Sequence, residues 1–162
     1  MKTEWEYYLG RNHRLRLVDG QTAPLVLDDQ GFSLRRNAHR DASAHFRRWF
    51  IHTGGEWFEN RAQRFIPRTG SHPAGIEVKD LGFRWGSCSR QGVLYFNWRL
   101  LQLPVKLVDY VIVHELVHLK EPHHGPAFWR TLETALPDWR KRKEVIRLRA
   151  TEFLAFGLAK PI

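Results

Sequence analysis

The sequence predicts an α+β fold, a single domain in which a small antiparallel or mixed β-sheet supports a buried helix that carries chemistry. Three observations carry that expectation. Short segments with two-residue alternation open the chain, a long aromatic stretch at helical spacing follows, and a strongly apolar helix in the last third presents paired histidines. The 162 residues suit one compact unit, read here as a domain over 1–162 with its N-terminal β part at about 1–40 and its catalytic core at about 76–139. Seven Trp, ten Phe and four Tyr in a chain that is 43% hydrophobic supply the core and argue against disorder.

From Trp5 to about Arg36, Leu15 and Leu17 alternate with Arg14 and Arg16, and Leu25–Leu27 and Phe32–Leu34 flank the turn residues Asp28-Asp29-Gln30-Gly31. These segments predict a small antiparallel sheet. Asp41 then offers a helix cap ahead of Phe46, Trp49, Phe50, Trp57, Phe58, Ala62 and Phe65, which recur mostly at helical spacing. Gly54-Gly55 interrupts that pattern. Each glycine costs roughly 1 kcal/mol relative to alanine inside a helix, so a break or kink is expected near Thr53 to Gly55.

Pro67 to Gly75 reads as a loop leading into a short strand, Ile76-Glu77-Val78-Lys79, and a second β-pair follows. Phe83–Trp85 and Val93–Phe96 are its apolar segments, separated by Gly86 to Gly92, a turn or a substrate-facing loop. Pro104 suits the first turn of a helix in which Val105, Val108, Ile112, Leu116 and Leu119 form a buried stripe. Pro122 ends it. Gly125-Pro126 opens a further helix with Phe128, Leu132, Ala135 and Leu136 on one face, closed by Pro137-Asp138. Asp138 to about Phe156 reads as a basic amphipathic helix.

The net charge of +9, from 26 Lys and Arg against 17 Asp and Glu, favours anionic partners, and nucleic acid is one of them. A single Cys excludes an intramolecular disulfide, and acidic residues stand where a signal peptide needs an apolar run. A cytoplasmic setting is therefore expected. No apolar run reaches the ~18–20 residues of a membrane span, so no membrane partner is expected.

The chemistry centres on His114-Glu115-Leu116-Val117-His118. Histidines four apart on a helix share a face and can hold one metal ion, with Glu115 standing beside the metal, the H-E-x-x-H arrangement of zinc hydrolases. A catalytic zinc takes three protein ligands and keeps one position open, which makes His123 and His124 candidates for the third. His124 stands at the metzincin interval of ten from His114, but Glu121 replaces the glycine of that motif, so the chain is no metzincin. Glu133 and Glu144 read as solvated helix charges, and Cys88 as a structural or substrate-proximal thiol. Trp85, Trp98 and Trp129 read as core aromatics, and Arg84 and Arg99 either as guanidinium groups facing the cleft to stabilise an oxyanion or phosphate or as solvated arginines. His13, His39, His45, His52 and His72 lack ligand spacing and read as surface or satisfied side chains.

Arg84-Trp85-Gly86-Ser87-Cys88-Ser89, then Phe96-Asn97-Trp98-Arg99-Leu100, then Asp109 to Leu119, then His124 and Phe128-Trp129, resemble the YgjP-like (DUF45) metallopeptidases, relatives of SprT-like and minigluzincin proteins. Tyr8-Leu9-Gly10-Arg11 and the stretch from Phe46 to Phe65 extend the likeness over most of the chain. The resemblance implies a zincin-like active-site helix, zinc ligands His114, His118 and His124, and Glu115 as the catalytic carboxylate that activates water for peptide-bond hydrolysis. It also implies an alternative substrate, a nucleoside triphosphate of the UTP type, cleaved by pyrophosphatase chemistry at the same site. A non-catalytic nucleic-acid-binding module with structural zinc is the remaining alternative; it explains the charge and leaves Glu115 without a role.

Overall fold

The computed structural model describes residues 4–154; within them the last α-helix ends at Arg149, short of the expected limit near Phe156, which itself lies outside the described residues. Four strands open the chain: β1 (Glu4–Tyr8), β2 (Arg11–Val18), β3 (Leu25–Asp28) and β4 (Gly31–Arg35). They form a sheet ordered β1-β2-β4-β3. The hairpins β1–β2 and β3–β4 are antiparallel, whereas β2 and β4 run parallel. The sheet is thus mixed rather than antiparallel. Alternation and turn residues specify each hairpin locally, but the pairing of one hairpin with the other depends on burying Leu15, Phe32 and Leu34 together.

Helix α1 (Ala42–Ala62) is unbroken through Gly54-Gly55. Its buried residues Phe46, Phe50, Gly54, Phe58 and Ala62 recur every fourth position, so Gly54 lies on the stripe that packs. A Cβ there would stand 2.7 Å from Leu101 Cδ1 and 3.3 Å from Val78 Cγ2. Close packing, rather than chain reversal, accounts for this glycine. Asp41 precedes the helix without a side-chain capping bond, because the chain enters α1 directly from a 3₁₀ turn over Arg36–Asp41 that supplies its own hydrogen bonds. Aromatic rings on α1 join the two halves of the core. Phe46 meets Phe32 of the first sheet at 5.1 Å, and Phe58 stacks on Phe96 of the second at 4.6 Å and 3°.

The expected loop from Pro67 begins with a short turn, α2 (Ile66–Thr69), ended by Gly70 in the left-handed region at φ 66°. Strands β5 (Gly75–Lys79), β6 (Gly86–Cys88) and β7 (Val93–Asn97) then form a sheet ordered β5-β7-β6, with β5–β7 parallel and β7–β6 antiparallel. Phe83–Trp85 is not strand. The paired segment is the small-residue run Gly86–Cys88, because these residues can lie close under the functional helix.

That helix is α3 (Val105–His118), with buried residues on every side from Leu107 to Val113 and again from Glu115 to Val117. A 3₁₀ segment over Trp98–Gln102 leads into it, and the β1–β2 turn docks there. Leu9 N donates to Leu101 O at 2.6 Å, Gly10 N donates to Gln102 O at 3.2 Å, and the buried Gln102 amide donates to Glu6 at 2.8 Å. Gly10, at φ 78°, would place a Cβ 2.7 Å from Pro104 Cα. Helices α4 (Pro126–Ala135) and α5 (Trp139–Arg149) complete the fold as the prolines predict, and both pack on α3. Among the described residues no helix is long and apolar enough to cross a membrane.

The adjacent glycines of α1 make a paired test by thermal or urea denaturation. Gly54→Ala should destabilise by about 1–3 kcal/mol through overpacking. Gly55→Ala, with no atom within 4 Å of the added Cβ, should stabilise by about 0.5–1 kcal/mol.

Candidate metal centre and cleft

One turn of α3 separates His114 from His118, and their Nε2 atoms lie 3.1 Å apart. His124, on the turn after α3, brings its Nε2 to 3.2 Å from that of His114. The nitrogens of the three rings all fall within 4.8 Å of one another. Neighbouring nitrogens around a tetrahedral zinc, at bonds of about 2.0–2.1 Å, stand roughly 3.3 Å apart, so these residues fit such an ion. His123 is exposed and lies outside the cluster.

The rings are held by what surrounds them. His118 Nδ1 donates to Glu121 O at 3.0 Å, which leaves the lone pair on Nε2 facing the cluster. Tyr110 OH approaches His114 Nδ1 at 3.5 Å. Phe128, fully buried at the start of α4, lies 4.6–4.9 Å from all three imidazoles and forms their floor. Trp129 stacks on His124 at 5.7 Å and donates its indole N–H to His124 O at 3.1 Å. Trp129 is half-buried and positions a candidate ligand, a role beyond the core aromatic expected of it.

Burial depresses the His114 pKa to about 3, with help from His118, His124 and Lys143, and burial also lowers that of His118. Both rings are therefore neutral near pH 7, the form that binds metal. Burial pushes the Glu115 carboxyl up to about 7, while Arg84 pulls it down. Glu115 approaches β6 so closely that a Cβ on Gly86 would sit 2.8 Å from its Cγ and 3.0 Å from Oε1. Gly86 is therefore required by space, a signal that a glycine in a presumed loop does not disclose.

His114 and Glu115 stand where two cavities meet. One, of about 510 Å³, lies between Phe83–Gly86, Tyr110 and the face of α5 that carries Lys143 and Ile146. The other, of about 630 Å³, runs along Gly86–Arg90 toward His118 and His124. Cys88 lines the second cavity, its thiol pushed up first by burial and then by the Glu115 charge; it is not part of the ligand cluster. Arg84 lines both cavities. Arg99 does not face the cleft: it binds Asp80 at 2.7 Å and lies over Trp98. Glu133 and Glu144 pair with Arg140 and Arg147 at the surface, as solvated helix charges do. Much of the positive charge of α5 is thus matched locally, since Arg142 and Arg149 are also ion-paired.

One structural residue escaped the sequence reading. Asp109, 4% exposed on α3, accepts two 2.7 Å hydrogen bonds from Arg61 of α1 and stands 3.8 Å from Arg142 of α5. It lies amid the apolar stripe, and its partner is 48 positions away.

The sequence profile of the YgjP-like metallopeptidase domain matches residues 1–149. Among solved structures, the metallopeptidase zymogen of Pyrococcus abyssi abylysin shares the fold, with a TM-score of 0.52 and 24% identity over 59% of this chain and 93% of that one. No curated protein matches the sequence.

The raised Glu115 carboxyl has a consequence for the metal-free protein. Its folded pKa, about 7, lies above the ordinary 4.5, so its contribution to stability is complete below about pH 4.5 and is lost as pH rises through 7. Glu115→Gln, which mimics the neutral acid, should match the wild type near pH 4 and exceed it by about 3 kcal/mol at pH 8 in urea titrations.

Proposed function

The chain belongs to the YgjP-like metallopeptidase family, and from that premise we propose that it is a zinc-dependent peptidase in which His114, His118 and His124 hold the metal. Glu115 is its proton-transfer group. The observation that carries this reading is the convergence of three imidazole nitrogens beside a buried carboxylate at the junction of two open cavities. A structural zinc is normally enclosed by four protein ligands, whereas the cluster among the described residues has three members.

When bound, zinc supplies a Lewis acid that makes hydroxide available near neutral pH and polarises the carbonyl under attack. Glu115 accepts the proton from the attacking water on a carboxylate oxygen and returns it to the departing amide nitrogen. Burial favours the first transfer by raising the proton affinity of the carboxylate, and Arg84 restrains that rise so that the proton can be given up again. Gly86 keeps the wall of β6 clear of Glu115 Oε1. Tyr110, its phenol pushed up to about 12 by burial and by the charge of Glu115, remains protonated and orients His114.

Strand β6 favours a peptide over a nucleotide. It is the edge of its sheet. Asn97 N donates to Trp85 O and Ser89 N donates to Val93 O, so alternation turns the main-chain groups of Gly86 and Cys88 away from β7. An extended peptide can pair with that open edge and lie across His114 and Glu115. A nucleoside triphosphate would leave the edge unused.

The purified protein should carry about one zinc per chain by elemental analysis, and His118→Ala should lose it. Peptide turnover should fall by about 10²–10⁴ in Glu115→Gln with zinc retained. Hydrolysis of nucleoside triphosphates without hydrolysis of peptides would overturn the substrate assignment. Gly86→Ala should keep the metal and lose about tenfold or more in kcat, because the added methyl displaces Glu115.

A further inference from the structure

Among the described residues, Glu115 is the sole acidic side chain lining either cavity, while Arg84, Arg90, Lys143 and Arg147 line one or both. These cations differ in what they already bind. Arg147 is engaged by Glu144 at 2.5 Å and 3.1 Å. Lys143 rests over the Trp129 ring at 5.1 Å and has no ion pair among the described residues. Arg84 likewise has none, and its charge acts on Glu115 as that of Lys143 acts on His114. Two cations with no ion pair among the described residues thus stand over the smaller cavity, one from the segment before β6 and the other from α5, each within electrostatic range of the candidate catalytic pair.

The walls between them are apolar and aromatic. Trp85 comes from the β5–β6 connection, Tyr110 and Val111 from α3, and Ile146 from α5. At about 510 Å³ this cavity holds one or two amino-acid residues, not an extended chain. A polar group entering it meets positive charge from two directions, and an apolar one meets aromatic surface.

We propose that this cavity is a subsite for a substrate carboxylate carried on or next to an apolar residue, held between Arg84 and Lys143 while the adjoining peptide bond lies at His114 and Glu115. The proposal rests on the peptidase reading of the same site. Two sources supply that chemistry, a C-terminal α-carboxylate and an Asp or Glu side chain. A single residue beside the scissile bond, with the carboxylate at its terminus or on its side chain, fits the small volume. A carboxylate accepts charge-assisted bonds from both cations without displacing an ion pair among the described residues.

The test uses zinc-loaded protein and matched short peptides that end in an apolar residue, as free acids, as C-terminal amides, and as amides with Glu or Gln in the penultimate place. Each partly exposed cation should contribute about two- to fivefold, so the acid should exceed the amide by about tenfold in kcat/KM, shrinking as salt rises. Lys143→Met and Arg84→Met should each reduce the acid-to-amide ratio, and Lys143→Arg and Arg84→Lys should restore it. A wild type with neither an acid-over-amide nor a Glu-over-Gln preference, or a preference unchanged in the Lys143→Met and Arg84→Met double variant, would overturn the subsite. A Glu-over-Gln preference without an acid-over-amide preference assigns the pocket to a side-chain carboxylate, and the reverse assigns it to the terminus. Fluorescence anisotropy with Glu115→Gln separates this inference from the peptidase reading. Selective binding of the acid by that variant, with no turnover by the wild type, sustains the subsite and removes the peptidase. Turnover of acid and amide alike does the opposite. Tighter binding of a nucleoside triphosphate than of every peptide acid would overturn both.

Discussion

The Asp109 carboxylate, buried in the middle of α3 and gripped by Arg61 in two hydrogen bonds, is the interaction on which the arrangement of the helices depends. It ties α3 to α1 and, through Arg142, to α5. A charge so deeply placed is a constraint as much as a source of stability, since losing one partner of a buried pair costs about 3–5 kcal/mol while an apolar replacement of the whole group is often neutral. What the pair specifies is register. Sliding α3 along α1 would leave the carboxylate unpaired in the core, and the histidines five and nine positions later are carried by the same rigid cylinder.

From that helix the site is assembled outward. Phe128 forms a common floor for three imidazoles, Trp129 fixes the turn that carries His124, and Glu121 O selects the tautomer of His118. Glu115 points the other way, toward β6, where a missing side chain at Gly86 admits it. The first sheet acts at a distance: its hairpin turn at Leu9-Gly10 clamps the segment that enters α3. Each of these supports is a packed or hydrogen-bonded contact with little slack, which is what the proposed proton-transfer role of Glu115 needs if its distance to substrate is to stay constant.

The sequence discloses the parts of this structure whose cause is local. Gly125-Pro126 and Pro137-Asp138 bound α4 because proline and glycine act on their own backbone, and the interval from His114 to His124 is short enough for spacing alone to suggest proximity. Where the cause is distant, reading from sequence fails in recognisable ways. Gly54 looks like a helix breaker until Leu101, 47 positions on, is seen to fill the space it leaves. The β2–β4 pairing is parallel because of shared burial, not because of any turn. Asp109 interrupts an apolar stripe and looks like an exception to it, since Arg61 is invisible to periodicity. Arg99, placed in a chemically suggestive run, is committed to Asp80, whereas its neighbour in motif, Arg84, lines the cleft with no ion pair among the described residues.

The three histidines span eleven residues, one helical turn and the bend after it. Such a cluster has low contact order and does not wait for the sheets to meet. Such a segment could chelate a cation while most of the chain is still unfolded, so the affinity of the proposed metal site would be shared between the folded and unfolded ensembles and would stabilise the native state by less than its full binding free energy. An ion captured early would also close a short loop and hold Phe128 near the end of α3, which would give the proposed metal a part in the order of folding events.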